Sequence, residues 1–258
     1  MVNQRLVIKT VFFLVILAYG GLIYYIAAYK GPKTYPIEEW QKYELAVRDG
    51  LIDKDTARKT LPIVMGQIET LARRYSFAYG QNWIFPVQGS GVNDIAGKNG
   101  DLYQPDIVYG SSPVKGYDFV DGNNHGGHPA HDIFIRDSDQ DCLDDRTHKP
   151  VPAVAVMDCL VLGTHTGWQP GSALRGGNVA WLYNPHIQMI FYYAHLDKVM
   201  VKPGQLLKAG EVVGTIGRTG FSAVKKESPT HLHLMVLQYQ DNQLKPYNYY
   251  FQLAKNTP

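Results

Sequence analysis

The chain has 258 residues, of which 45% are hydrophobic, 19% charged and 12% aromatic. This balance is typical of a globular protein, argues against disorder, a collagen-like chain or a coiled coil, and at this length suits one domain with an appendage. The formal net charge of +2 provides no strong positive field, so we predict no nucleic-acid binding, and two cysteines are too few for a disulfide scaffold.

The N-terminal segment predicts a membrane anchor. Residues 10–29 are twenty consecutive uncharged residues, and as a helix they would span about 30 Å, the thickness of the bilayer interior. Arg5 and Lys9 precede them, which favours residues 1–9 as a cytoplasmic N-terminus and an exported remainder. The alternative is a cleaved signal peptide, whose apolar region is usually shorter, roughly 7–15 residues.

Residues 30–80 predict a helical juxtamembrane arm. A first helix begins at Glu38 and ends near Gly50, and a second helix follows Asp53. One face of each helix is apolar: Trp40, Tyr43 and Val47 in the first, and Leu61, Met65, Ile68, Ala72 and Tyr75 in the second. Pro62 should kink the second helix or mark its first turn. The helices carry no recognisable chemistry, so we interpret the arm as a spacer or a packing element.

From about Trp83 the pattern changes to short apolar runs separated by glycines and turn residues. These runs include residues 179–183, 187–196, 211–217 and 231–238, and Asn184-Pro185-His186 separates the first two as a hairpin turn would. Several short strands with few helices predict a mainly β domain, as a sheet, sandwich or barrel, over residues 81–252, followed by a tail at 253–258.

Three arrangements of histidine point to a metal site. His128 and Asp132 lie four residues apart, and His195 ends an apolar run. His231 and His233 flank one leucine, so on a strand they share one face. Burying two imidazoles side by side is costly unless a partner satisfies them, and histidine nitrogens and carboxylate oxygens are standard Zn²⁺ ligands. A catalytic zinc needs three protein ligands and an open position, so the spacing alone predicts a metallohydrolase, without the HExxH arrangement of helical zinc proteases.

The full series of polar positions resembles peptidase family M23, the LytM/lysostaphin-like zinc endopeptidases of bacterial peptidoglycan. The series runs through His128-x-x-x-Asp132, Tyr193-Ala194-His195-Leu196, the glycines 210, 214, 217 and 220, and His231-Leu232-His233. The resemblance covers the chain from about Trp83 to about Tyr250. It implies an antiparallel β-sheet peptidase domain that binds one Zn²⁺ through His128, Asp132 and His233, with His195 and His231 as the two catalytic histidines.

The resemblance also implies a function and a location. It implies a zinc-dependent endopeptidase, a DD-endopeptidase by its resemblance to Gram-negative members, that hydrolyses peptidoglycan stems or cross-links. Residues 83–87 and 116–135 are similar to Bacteroidetes-type members. With the anchor retained, the protein is a single-pass protein of the cell inner membrane with its catalytic domain in the periplasm; with the anchor cleaved, it is secreted.

Two other functions remain as alternatives. Some relatives of this type are catalytically inert regulators that bind the wall or activate an amidase, but all five polar positions are intact here. Residues 201–217 also resemble the glycine-spaced hairpins of biotinyl- or lipoyl-type carriers. A carrier needs a modifiable lysine at a hairpin tip, usually flanked by methionine, and this signature is missing from the sequence.

His131 departs from the family pattern, because it stands where an aliphatic residue is typical. Strand parity turns it away from Asp132, so we do not expect it to be a fourth ligand.

An acidic segment follows the first motif. Asp137, Asp139 and Asp141 alternate as at the start of a calcium loop. The usual glycine is replaced by Cys142 and the usual bidentate glutamate by His148. The pattern therefore leaves open a Ca²⁺ site or a solvated acidic turn.

Cys142 and Cys159 are the two cysteines of the chain, and export would place them in an oxidising compartment. Family members commonly have glycine near both positions. The resemblance therefore implies a disulfide that pins the acidic segment to the following strand.

Overall fold

The computed structural model describes residues 35–77, 83–97, 99–107 and 116–255. Contacts group residues 36–258, as far as they are described, into one compact unit. The predicted membrane anchor, residues 10–29, lies outside the described residues. Among the residues that are described, every helix is too short or too polar to cross a bilayer.

The two predicted helices of the arm are present. Helix α1 spans Tyr35–Arg48 and helix α2 spans Lys54–Ala72. Asp53 caps α2 by accepting a hydrogen bond from the Thr56 N–H at 2.9 Å. Pro62 lies in the interior of α2 rather than in its first turn. A proline removes only one backbone donor, and the buried face of α2 stabilises the remaining turns, so the helix continues past it.

Nine antiparallel strands form one sheet within the described part of the chain. In chain order they are β1 (Ala130–Phe134), β2 (Pro152–Val154), β3 (Cys159–His165), β4 (Asn178–Asn184), β5 (Met189–Val199), β6 (Leu206–Leu207), β7 (Val212–Ile216), β8 (His231–Gln240) and β9 (Gln243–Pro246). Short 3-10 turns at Val92–Asp94 and Phe119–Asn124 precede β1, and helix α3 (Tyr250–Lys255) follows β9. The mainly β, antiparallel prediction is confirmed.

The strand order is β1-β8-β5-β4-β3-β6, with β9 paired to β8, and β7 paired to both β5 and β2. The predicted turn joins β4 to β5, where the Asn184 side chain accepts the backbone N–H of His186 at 2.8 Å. Long strands β5 and β8 therefore lie side by side at the centre of the sheet, next to β1.

Strand alternation gives the sheet two apolar faces. On β5, Phe191 and Tyr193 join one core, while Ile190 and Ala194 join the other. Helices α1 and α2 cover the second face, and Trp40 is fully buried there with its ring 5.9 Å from that of Trp181. The arm is therefore a packing layer of the sheet and not a spacer.

The predicted disulfide is wrong, because Cys142 and Cys159 are both free thiols. Cys142 donates its N–H to Asp137, whose carboxylate also holds Thr230 at the start of β8. Cys159 is the first residue of β3. The next residue, Leu160, is aligned across the paired strands β4 and β5 with Leu237 on β8. Leu237 lies seven residues beyond Thr230 along the strand, about 23 Å at roughly 3.3 Å per residue. A disulfide requires Cα atoms less than about 7 Å apart.

Candidate metal centre and catalytic histidines

Antiparallel pairing brings the predicted ligands together. β1 pairs with β8 so that Asp132 lies opposite His233, and β5 places Ala194 on the other side of His233. His128 lies just before β1, where its Nδ1 bonds to the carbonyl of Leu102 at 3.0 Å. One ligand atom from each of the three predicted residues lies within 4.8 Å of the other two.

The spacing of these atoms fits a tetrahedral zinc. Asp132 Oδ1 is 2.9 Å from His233 Nδ1, and Asp132 Oδ2 is 3.3 Å from His128 Nε2. Two ligand atoms bound at zinc distances of 2.0–2.1 Å lie roughly 3.4 Å apart in a tetrahedron. The three side chains remain 19–23% exposed, so one side of the cluster is open to water or a substrate. Two imidazoles and one carboxylate could therefore hold Zn²⁺ and leave a fourth position accessible.

The charges of the three side chains are set by their mutual contacts. Burial raises the pKa of Asp132, but hydrogen bonds from His128 and His233 outweigh it and hold that pKa well below its usual value. Burial lowers the pKa of His233. Burial also lowers the pKa of His128, yet its bonds to Asp132 and to the Leu102 carbonyl outweigh burial and raise that pKa. The carboxylate is thus ionised, and His128 is the more basic imidazole.

His195 reaches the same place through a bulge. The pairing of β4 with β5 shifts register beside it, and its backbone is left-handed at φ 62°. Its backbone N–H donates to Gly176 at 2.8 Å, and its Nδ1 bonds to the Thr219 carbonyl at 2.8 Å. The ring centroid lies 5.4 Å from that of His233.

The segment beside His195 must approach it closely. Gly220 has φ +108°, and a Cβ there would lie 2.7 Å from His195 Nδ1 and 2.7 Å from the Arg175 carbonyl. A glycine is required at this point because both the backbone conformation and the space exclude a side chain.

His231 is the second histidine beside the metal ligands. Its Nδ1 bonds to the Pro229 carbonyl at 2.7 Å, and its Nε2 lies 3.7 Å from Asp132 Oδ1. Its ring centroid is 5.0 Å from that of His195. The predicted catalytic pair is therefore assembled at the edge of the predicted ligand cluster.

Backbone carbonyls define which ring nitrogen carries the proton in both predicted catalytic imidazoles. A carbonyl only accepts, so the Nδ1 of neutral His195 and of neutral His231 carries the proton and donates it, and each Nε2 keeps a lone pair. Burial lowers the pKa of His195 well below its usual value, reinforced by the neighbouring His231 and His233. His195 is therefore a neutral imidazole whose Nε2 carries a lone pair.

His131 points to the opposite face of the sheet, as strand parity predicted. It is almost fully buried, its Nε2 bonds to Asn248 Oδ1 at 3.0 Å, and its ring packs against Tyr249 at 4.9 Å and Tyr103 at 5.4 Å. It supports the layer beneath the ligands and does not join them.

Sequence reasoning missed the three carbonyls of Leu102, Thr219 and Pro229 that hold His128, His195 and His231. A carbonyl is common to every residue, so no residue type marks these positions in the sequence.

The acidic segment folds differently from the predicted calcium loop. Its clustered carboxylates are Asp137, Asp139 and Asp145, whereas Asp141 instead accepts the N–H of Leu143 at 2.8 Å. Asp137 is occupied by protein donors, including the N–H groups of Asp141 and Cys142. A calcium ion at this loop stays a prediction.

Comparison with known proteins finds a segment that is similar to a peptidase family. The model of peptidase family M23 matches residues 141–246, which contain His195, His231 and His233. The match begins after His128 and Asp132, which the fold brings to the same cluster. No curated protein matches the chain.

Several solved structures are similar to this chain. A zinc-containing peptidase from Vibrio cholerae aligns at 21% identity over 64% of this chain and 38% of that chain, with a TM-score of 0.38. This chain therefore spans well under half of that peptidase. The catalytic domain of lysostaphin from Staphylococcus simulans aligns at 21% identity over 56% of this chain and 85% of that chain, with a TM-score of 0.36. LytU aligns at 21% identity over 65% of this chain and 88% of that chain, with a TM-score of 0.38. The resemblance to peptidase family M23 predicted from the sequence is confirmed, and residues 141–246 carry the family match.

Proposed function

We propose that this protein is a zinc-dependent endopeptidase that hydrolyses peptide bonds in peptidoglycan. One observation carries the proposal: two imidazoles and a carboxylate converge in an open cluster, and two buried histidines stand beside it with their Nδ1 atoms on carbonyls. The family M23 match over residues 141–246 supports a peptidase rather than another zinc hydrolase.

The residues divide the work between holding a metal and moving protons. His128, Asp132 and His233 would hold Zn²⁺, which when bound polarises a scissile carbonyl and lowers the pKa of a water to roughly 7. His195 and His231 each present an Nε2 that can accept the proton of the attacking water. Once protonated, an imidazolium can stabilise negative charge developing on the carbonyl oxygen and return the proton to the leaving amine.

The substrate and the location form part of the same proposal. The sequence resemblance to LytM/lysostaphin-like peptidases supports peptidoglycan as the substrate and a DD-peptide cross-link as the bond. Residues 10–29 support an anchor in the inner membrane with the site in the periplasm. The Bacteroidetes-type origin stays a prediction.

The experiment is digestion of purified sacculi by the full-length protein in detergent, with products read by mass spectrometry. We expect muropeptides released by the zinc-loaded protein and not by the chelator-treated protein or by His233→Ala. His186→Ala is the matched control, because this histidine is exposed at the β4–β5 hairpin, at the far end of both strands. The fragment masses identify the bond.

Two outcomes would contradict the proposal. Release of fragments by the chelated protein would remove zinc from the reaction. Zinc bound at one equivalent per chain without any release would instead favour the inert regulator, and binding to intact sacculi would then be measured.

A further inference from the structure

The acidic loop, residues 137–145, contacts the segment that leads into His231. Asp137 begins this loop three residues after β1, and Oδ1 of its carboxylate accepts the N–H of Asp141 at 3.0 Å. The other oxygen, Oδ2, accepts the N–H of Cys142 at 2.9 Å and the hydroxyl of Thr230 at 2.5 Å. Asp137 is 9% exposed and Thr230 is 1% exposed, so this hydrogen bond is shielded from water.

Thr230 is held from three directions. Its hydroxyl donates to Asp137 and receives the Arg218 Nη1 at 3.3 Å, while its carbonyl accepts the Ile135 N–H at 3.1 Å. A buried hydroxyl that loses its acceptor destabilises the fold, so these contacts favour one orientation of the Thr230 backbone.

The peptide before Thr230 carries the carbonyl that orients the catalytic imidazole. Pro229 O lies 2.7 Å from His231 Nδ1, and rotation of the Pro229–Thr230 peptide would move that oxygen away. His231 Nε2 faces the metal cluster, 3.7 Å from Asp132 Oδ1. The orientation of Thr230 therefore decides whether the imidazole presents Nε2 to the site.

A second set of contacts ties the acidic loop to the same segment. The Gln140 side chain donates to the Lys226 carbonyl at 2.9 Å, and Arg218 donates to the carbonyls of Ser228 and Lys225 at 2.5 and 2.8 Å. Residues 225–230 are thus clamped between the loop and Arg218.

We propose that Asp137 is a positioning residue for His231. By holding Thr230, it fixes the Pro229 carbonyl that keeps the His231 proton on Nδ1 and its lone pair on Nε2. The acidic loop thereby stabilises the orientation of His231 in the proposed catalytic site. The catalytic meaning of this role rests on the proposed peptidase function, whereas the orientation of His231 does not.

The first test uses Thr230→Val, which keeps the volume and removes the hydroxyl, together with Thr230→Ser, which keeps the hydroxyl, and Asp137→Asn. In the full-length zinc-loaded protein acting on a soluble cross-linked muropeptide, we expect Thr230→Val and Asp137→Asn to lower kcat by about ten- to a hundredfold with KM nearly unchanged. Thr230→Ser should restore kcat. Thr215→Val is the matched control, because the Thr215 hydroxyl is buried on β7 and has no hydrogen-bond partner among the residues that the structure describes.

The second test reads the imidazole directly. Histidine ring ¹H–¹⁵N spectra of the metal-free full-length protein should show neutral His231 as a single Nδ1–H tautomer, and both Thr230→Val and Asp137→Asn should convert it to a mixture. An unchanged tautomer in Thr230→Val, or a Thr230→Ser variant as impaired as Thr230→Val, would overturn the proposal. If the wild-type protein cleaves nothing, the peptidase function fails, and the tautomer spectra still decide the role of Asp137.

Discussion

Zinc binding should release a number of protons that is fixed by the unequal basicity of the two histidine ligands. Asp132 is ionised at neutral pH because its pKa is held well below the usual value. The pKa of His233 is lowered by burial, whereas the pKa of His128 is raised by Asp132 and by the Leu102 carbonyl, which outweigh its burial. The two imidazoles therefore titrate on opposite sides of the ordinary histidine value of about 6.5.

The magnitude follows from counting protons. Between the two pKa values His128 carries a proton that zinc must displace, and His233 does not. The zinc affinity should then fall about tenfold, or about 1.4 kcal/mol, for each pH unit of acidification across this interval. The sign is that acid weakens binding, because protons compete with the metal for His128.

The assay is titration calorimetry of the metal-free protein with zinc in buffers of different ionisation enthalpy, which counts the released protons at each pH. We expect a plateau near one proton around pH 6.5. Two histidines of ordinary pKa would instead take the count from near two in acid to near zero in base, in a single step through that pH. Such a single step would refute the contacts assigned to His128. His148→Gln, in an exposed turn, is the control and should leave the plateau unchanged.

Three further perturbations test the layers around the site. Trp40→Ala should lower the free energy of unfolding by about 3–5 kcal/mol, because the ring is fully buried between helix and sheet. The control Ile63→Ala, on the exposed side of α2, should change that free energy by about 0.5 kcal/mol or less. Denaturant titration measures both. If the proposed peptidase activity holds, Gly220→Ala should lower kcat by about a hundredfold, because the added methyl displaces His195 from its place beside the predicted ligands. Gly171→Ala, also at positive φ but with open space around it, should keep kcat and lose about 1–2 kcal/mol of stability; a normal kcat for the first variant would contradict the close approach. The wild type should melt at the same temperature with and without reductant, since both thiols are free, and Cys142→Ser is the control that cannot form the bond. A melting temperature of the wild type that falls on reduction would contradict the free thiols.

The sequence predicted the parts of the site that depend on strand periodicity. An alternation of two places His231 and His233 on one face and turns His131 away from Asp132, and the structure has both features. The apolar face of α1 was likewise readable from Trp40 and its neighbours. These features are local, because each is fixed within one strand or one helix.

Features that depend on distant pairing were not predictable in the same way. The contact between Asp132 and His233 requires β1 to pair with β8 in one register. The apolar face of α1 packs on an aromatic cluster around Trp181 on β4, which lies far from α1 in the sequence. The error at Cys142 and Cys159 has the same origin. The resemblance gave the chain positions of two thiols but not their separation across the sheet.

The strands and the loops contribute different features to the candidate site. Strand parity and register set where each imidazole stands, but loop carbonyls set which nitrogen faces the cluster of predicted ligands. Leu102, Thr219 and Pro229 each occupy the Nδ1 of one histidine, so those rings are left with Nε2 toward the cluster. His233 is the exception, because its Nδ1 faces Asp132 at 2.9 Å and is the atom that would bind the proposed zinc.

This division explains why the acidic loop, residues 137–145, can affect the protonation of a histidine although it lies outside the strands. A change in a strand that preserves parity leaves every histidine on its face. A shift of one loop carbonyl by a peptide rotation lets the proton move to Nε2 and removes the base while the sheet stays intact. The loops are therefore the part of this fold in which the protonation of the site is decided, and Asp137, which anchors the carbonyl of Pro229 through Thr230, belongs to that layer.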